Sequence, residues 1–153
     1  MPQSSKRKIH NHKGAQGRRQ KALFLPIPRE DAERLMLRTR TMLERVRNGE
    51  ANRVLVNSLG QVVLFTNFVI AAGHGALEPS FVDDVEHELG LVLLTADRTG
   101  EWHIPPELVE NLTRVVNEYD RQLRETRLEI IAKASDHMEH LSKAGRGTGE
   151  RSG

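Results

Sequence analysis

Asp84 and His87 stand three residues apart, as do His137 and His140, and that spacing puts two side chains on one face of a helix. Carboxylate and histidine pairs at this spacing hold metal ions inside helical bundles. A di-iron centre of that kind needs Glu-x-x-His on two helices and two further inward glutamates. The stretch 54–77 offers no carboxylate, and both pairs lie among polar neighbours, so no metal site is predicted. His10 and His12 could take up a transition metal only weakly, since nothing fixes their geometry. Ser58 and Ser80 lack the strained glycine elbow that activates a nucleophilic serine. Gly73-His74-Gly75 is too short to cradle a phosphate. The chain has no cysteine, which excludes thiolate chemistry and disulfides and matches a reducing cytosol. The residues therefore predict no catalytic centre, no cofactor and no enzyme. Asn57 and Gln61, one turn apart in an uncharged stretch, are expected to fix helix register if buried.

Charge is distributed more informatively than chemistry. Residues 1–21 carry seven lysines and arginines and no acid, whereas residues 22–142 carry 13 basic side chains against 20 acidic. The total of +2 conceals this division. The basic stretch has almost no apolar content to offset the entropy of ordering, so residues 1–25 are predicted to be a disordered arm. Lys6, Arg7, Lys8, Lys13, Arg18, Arg19 and Lys21 can each displace counterions from a nucleic-acid backbone. No aromatic residue is interleaved among them to stack on bases, so the attraction would be indifferent to sequence. At the other end, residues 144–153 contain four glycines and are predicted to be a flexible tail.

The positioning elements lie between, in a single domain over residues 26–143. Leu35, Thr39, Met42 and Val46 recur on one face of a first helix ending at Asn48-Gly49. Arg34, Arg38 and Arg45 project elsewhere on it as a possible phosphate-contacting set, while Arg40 and Arg47 form a separate pair. Alternating charge, including the pair Glu30 and Arg34, is equally the mark of a solvated face. A second helix runs from Ala51 to the Gly-His-Gly stop. It is apolar enough to suggest a membrane span, but its amides and Thr66 favour a helix buried among others. Gly60 inside it would let a neighbouring helix approach closely. A third helix opens at Pro79 and buries Phe81, Val82, Val85, Leu89, Val92 and Leu93, opposite an acidic face of Asp83, Asp84, Glu86 and Glu88. The turn Asp97–Pro106 contains the sole tryptophan, Trp102, expected to plug the end of the core.

A fourth helix keeps its spacing at Leu108, Leu112, Val115, Tyr119 and Leu123 and continues through Ile130, Ile131, Ala134, Met138 and Leu141. Unbroken, it would span roughly 54 Å against roughly 30 Å for the others. Its second half would then lack a partner, which predicts a homodimer interface at Ile130, Ile131, Ala134, Met138 and Leu141. A break near Arg124 to Arg127, folding that segment back on its own bundle, is the alternative. The expected fold is all-α: four main antiparallel helices in a bundle, a long C-terminal helix and a disordered basic N-terminal arm.

The apolar helix ending in Gly73, the Arg98-Thr99-Gly100 turn before Trp102 and the string Tyr119-Asp120-Arg121-Gln122-Leu123 resemble a family of small helical proteins. These are found on plasmids, phages and genomic islands of proteobacteria and are often labelled Fis-family transcriptional regulators. The resemblance covers about residues 30 to 125 and implies a mobile-element setting.

Two functions are therefore expected of a cytoplasmic, non-catalytic protein. In the first, it is a regulator contacting nucleic acid through the arm and Arg34, Arg38 and Arg45. In the second, it is a protein-interaction module or inhibitor that meets a basic protein partner through Asp83, Asp84, Glu86 and Glu88 or through the last helix.

Overall fold

The computed structural model describes residue 23 and residues 25–151, with side chains as far as residue 141. The seven basic residues of the arm, Lys6 to Lys21, lie outside the described part. The described residues are helical: α1 Arg29–Arg47, α2 Arg53–Ala71, α3 Pro79–Thr99, α4 Pro106–Glu125 and α5 Leu128–Arg151. A single isolated bridge joins Pro26 to Arg127 among them.

Helix boundaries follow local chemistry. Asn52 caps α2 by accepting a hydrogen bond from the Leu55 N–H at 2.9 Å. Pro79 and Pro106 occupy first turns of α3 and α4, where their missing N–H leaves no bond unmade. Gly100 closes α3. The Gly-His-Gly turn has a steric rather than a chemical purpose. Gly73 sits at φ +92°, and a Cβ at Gly75 would collide with the Ile70 side chain. Gly75→Ala is accordingly expected to destabilise the fold by about 2 kcal/mol, through overpacking. Urea unfolding of the variant checks this, and an unchanged midpoint would show that the turn relaxes freely.

α2 is the central helix and packs against α1, α3, α4 and α5. Leu55, Val56, Leu59, Val63, Thr66 and Val69 are all essentially inaccessible, which is why the stretch lacks charge. By length and a mean hydropathy of 1.8 it could also cross a membrane, the one such helix among the described residues. Its neighbours in this fold are other helices.

The buried stripe of α1 is rotated from the expected one. Ala32, Met36, Thr39, Leu43 and Val46 face inward, whereas Leu35 is 40% exposed. Leu35, Met36 and Leu37 are consecutive and apolar, so periodicity alone could not choose which of them points to the core. The α3 residues Val82, Val85, Leu89 and Val92 and the α4 residues Leu108, Leu112, Val115, Tyr119 and Leu123 are buried as their spacing requires.

The long last helix is broken. Thr126 adopts an extended conformation at ψ 138°, and the Leu128 N–H donates to the Leu25 carbonyl at 2.8 Å. The chain then turns back, and α5 packs on α2. An unbroken helix would have left Ile131 and Ala134 in water, whereas here they are 7% and 0% exposed. The dimer interface predicted at Ile130, Ile131, Ala134, Met138 and Leu141 therefore loses its premise, since Ile131 and Ala134 are buried within the chain and Ile130 is half-buried against the same core. Helical backbone continues as far as Arg151. Residues 144–151 contain no proline, and glycine weakens the helical ladder without blocking it.

Candidate protein-docking surface

Helix α3 turns one face to solvent, and its composition is uncompensated. Between Arg53 and Arg98 the sequence has no lysine or arginine, yet it holds Glu78, Asp83, Asp84, Glu86, Glu88 and Asp97. Asp97 is ion-paired with Arg53, whose guanidinium also lies 5.5 Å from the centre of the Trp102 ring. Trp102 thus ties the start of α2 to the end of α3 and sits half-buried against the core. Asp83 accepts a hydrogen bond from Asn67 at 2.7 Å. Among the described residues, Asp83, Asp84, Glu86 and Glu88 have no cationic partner, and all four are exposed. Arg98 marks the basic limit of this face.

The same face carries exposed leucines that lie off the buried stripe of α3. Leu91 is 48% and Leu94 66% exposed. The signal was present in the run Leu91-Val92-Leu93-Leu94, because four consecutive residues at 100° intervals cannot all point inward. Asp83, His87, Gly90 and Leu94 follow one another along the outer ridge at spacings of four, three and four. Shallow depressions flank it. One of about 330 Å³ lies toward α4 and is lined by Glu88, Leu91, Glu101, His103 and Glu107. Another of about 440 Å³ lies toward α5. Leucines ringed by carboxylates form a surface of mixed apolar and electrostatic character, suited to a protein partner with the opposite charge.

The α1 arginines present a different electrostatic picture. Arg45 pairs with Glu50 at 2.8 Å, and Arg34 with Asp31 at 4.0 Å rather than with Glu30. Arg38 alone of the predicted trio has no ion pair among the described residues. Arg40 reaches α4, donating to Asn117 and Asp120 at 3.1 Å each, and Arg47 donates to Thr113 at 3.0 Å. These two clamp α1 to α4. Arg34, Arg38 and Arg45 are all solvent-facing, and two of them have a carboxylate within 4.0 Å in an exposed pair.

The densest polar cluster is architectural. The string Tyr119–Leu123 makes a different junction with each side chain. Tyr119 meets Phe65 edge to face at 5.3 Å, Asp120 binds Arg40 and Arg124, and Leu123 enters the core. The fully buried Gln122 donates to the Thr66 carbonyl at 3.2 Å. Register is thus fixed by Gln122, whereas Asn57 and Gln61 are exposed. Glu118 is buried at 6% exposure and accepts from the Ala76 N–H at 3.0 Å and from Arg121. Burial pushes its carboxyl up, but the Arg121 and Ala76 hydrogen bonds and the Arg121 charge more than offset that and hold it below the usual range. Burial pushes the Tyr119 phenol up.

Among the described residues no three His, Asp or Glu side chains are placed to hold a metal ion. His137 stacks on Phe68 with ring centres 5.0 Å apart, helping seat α5.

Comparison with known proteins finds no match, whether among family models, curated proteins or solved structures. The resemblance to mobile-element helical proteins therefore rests on the residues quoted for it.

Proposed function

We propose that the chain is a non-catalytic interaction module that captures a basic protein partner through the outer face of α3. The observation that carries this reading is the coincidence of unpaired Asp84, Glu86 and Glu88 with exposed Leu91 and Leu94 on one helix. Charge of one sign steers encounter and selects the partner, while apolar contact in the centre supplies affinity. In this reading α1 to α4 form an antiparallel bundle that acts as a rigid platform.

The test is capture from host extract by the tagged chain, before and after nuclease. Reversing Asp83, Asp84 and Glu88 to lysine is expected to reduce capture of bound proteins about tenfold, a loss of about 1.4 kcal/mol. Exposed charges of this kind contribute little to stability, so the variant should melt within a few degrees of the parent. Capture that disappears on nuclease treatment and ignores the reversal would contradict the proposal.

The charge division of the sequence favours a second reading, association of Lys6 to Lys21 and Arg38 with nucleic-acid phosphates. It expects steep loss of affinity with salt and weakening on deletion of residues 1–21.

A further inference from the structure

We infer that the partner presents a basic amphipathic helix, which seats in the groove between α3 and α5 with its backbone close against Gly60 and Gly90. This rests on the reading of α3 as a docking face and names what docks there.

α3 and α5 both pack on α2, and the space of about 440 Å³ between them is floored by Gly60 and Leu64 and walled by Gly90 and Leu93 on one side and Met138 and Leu141 on the other. Both glycines are inside helices, where each costs about 1 kcal/mol relative to alanine. The expectation that Gly60 admits a neighbouring helix of this chain is not met, because a Cβ at either position would meet nothing within 4 Å. Neither turn geometry nor internal packing accounts for them, since neither has a left-handed φ. What two missing side chains on adjacent helices do provide is room for a third backbone to approach.

Shape and charge then select the occupant. A groove walled by parallel ridges of helical side chains accepts another helix through residues at i, i+3, i+4 and i+7. Leu64, Leu93, Met138 and Leu141 favour an apolar seam, while Asn57 and Gln61 beside Gly60 accept polar groups at its edge. Glu86 and Gly90 belong to this groove and also to the outer depression that holds Asp83, His87, Leu91 and Leu94. The flank of the incoming helix that rises over α3 thus meets carboxylates, and lysine or arginine there would find Glu86 and Asp83.

The experiment uses the full chain and two labelled leucine–lysine peptides about 18 residues long, identical in composition. One has leucines at helical spacing, and in the other the order is scrambled so that no apolar face forms. Fluorescence anisotropy is expected to show about tenfold tighter binding of the first. Gly60→Leu with Gly90→Leu should abolish that preference without lowering the melting temperature. Should the leucines disturb folding, Gly60→Ala with Gly90→Ala adds only methyls where space is open and should weaken the preferred peptide about threefold. A filled variant that folds and keeps the full preference would overturn the inference. Equal binding of both peptides, lost on reversing Asp83, Asp84 and Glu88, would overturn the groove while leaving α3 as the docking face. No binding of either peptide overturns the groove, whereas α3 as the docking face falls only if capture from extract ignores the reversal of Asp83, Asp84 and Glu88. A drop in molecular mass by sedimentation on filling the groove would instead identify a second copy as the occupant.

Discussion

Replacing Leu59 by alanine is expected to cost about 3 kcal/mol and to lower the thermal midpoint by roughly 10 °C. Leu59 is wholly inaccessible on the central helix, with α1, α3, α4 and α5 packed around that helix. Truncation removes the transfer energy of its side chain and leaves a cavity that four packed helices cannot easily collapse into. The instructive control is Leu94→Ala on α3, where the side chain is already 66% exposed and the cost should stay within about 0.5 kcal/mol. If Leu94 serves a partner, that variant separates capture from stability. Calorimetry on the two variants checks the contrast, and equal midpoints would show that α2 does not occupy the centre.

Arg121→Ala should have the next largest effect, because it leaves Glu118 buried beside the Ala76 N–H with its charge partner gone. Breaking a buried pair in this way costs several kcal/mol. Arg121 is itself 38% exposed, and solvent screening reduces the expected loss to about 2 kcal/mol at neutral pH. The pH dependence has a definite sign. The folded Glu118 pKa is depressed, so its contribution to stability is present above the unfolded carboxylate pKa and is lost as pH falls through the folded value. In Arg121→Ala, burial is left opposed only by the Ala76 bond, so protonation of Glu118 costs less. The stability gap between parent and variant should therefore narrow on acidification. Denaturant titrations from neutral to acidic pH measure this, and a constant gap would show that Arg121 acts through packing rather than charge.

Much of the architecture was legible because spacing reports burial directly. Every α4 position from Leu108 to Leu123 that the spacing selects is in the core, and Pro79, Gly100 and Pro106 mark helix ends. What sequence could not supply was the competition between partners. The break at Thr126 carries neither glycine nor proline, and only the return of Ile131 and Ala134 onto α2, with the Leu25 carbonyl bound by Leu128, makes it favourable. Gln122 and Glu118 read as ordinary polar residues on an amphipathic helix. Their burial depends on a carbonyl in α2 and an N–H in the loop after it, both remote in sequence. On the candidate site, the acidic residues of α3 were visible as a face, but the ion pairs of Arg34 and Arg45 and the exposure of Leu91 and Leu94 needed the fold.

The most direct measurement is a map of backbone amide shifts by NMR as the amphipathic leucine–lysine peptide is titrated into the full chain. The proposed function predicts that the largest changes fall on α3 from Asp83 to Leu94. Changes concentrated on α1 and α4, with α3 unmoved at saturation, would contradict it.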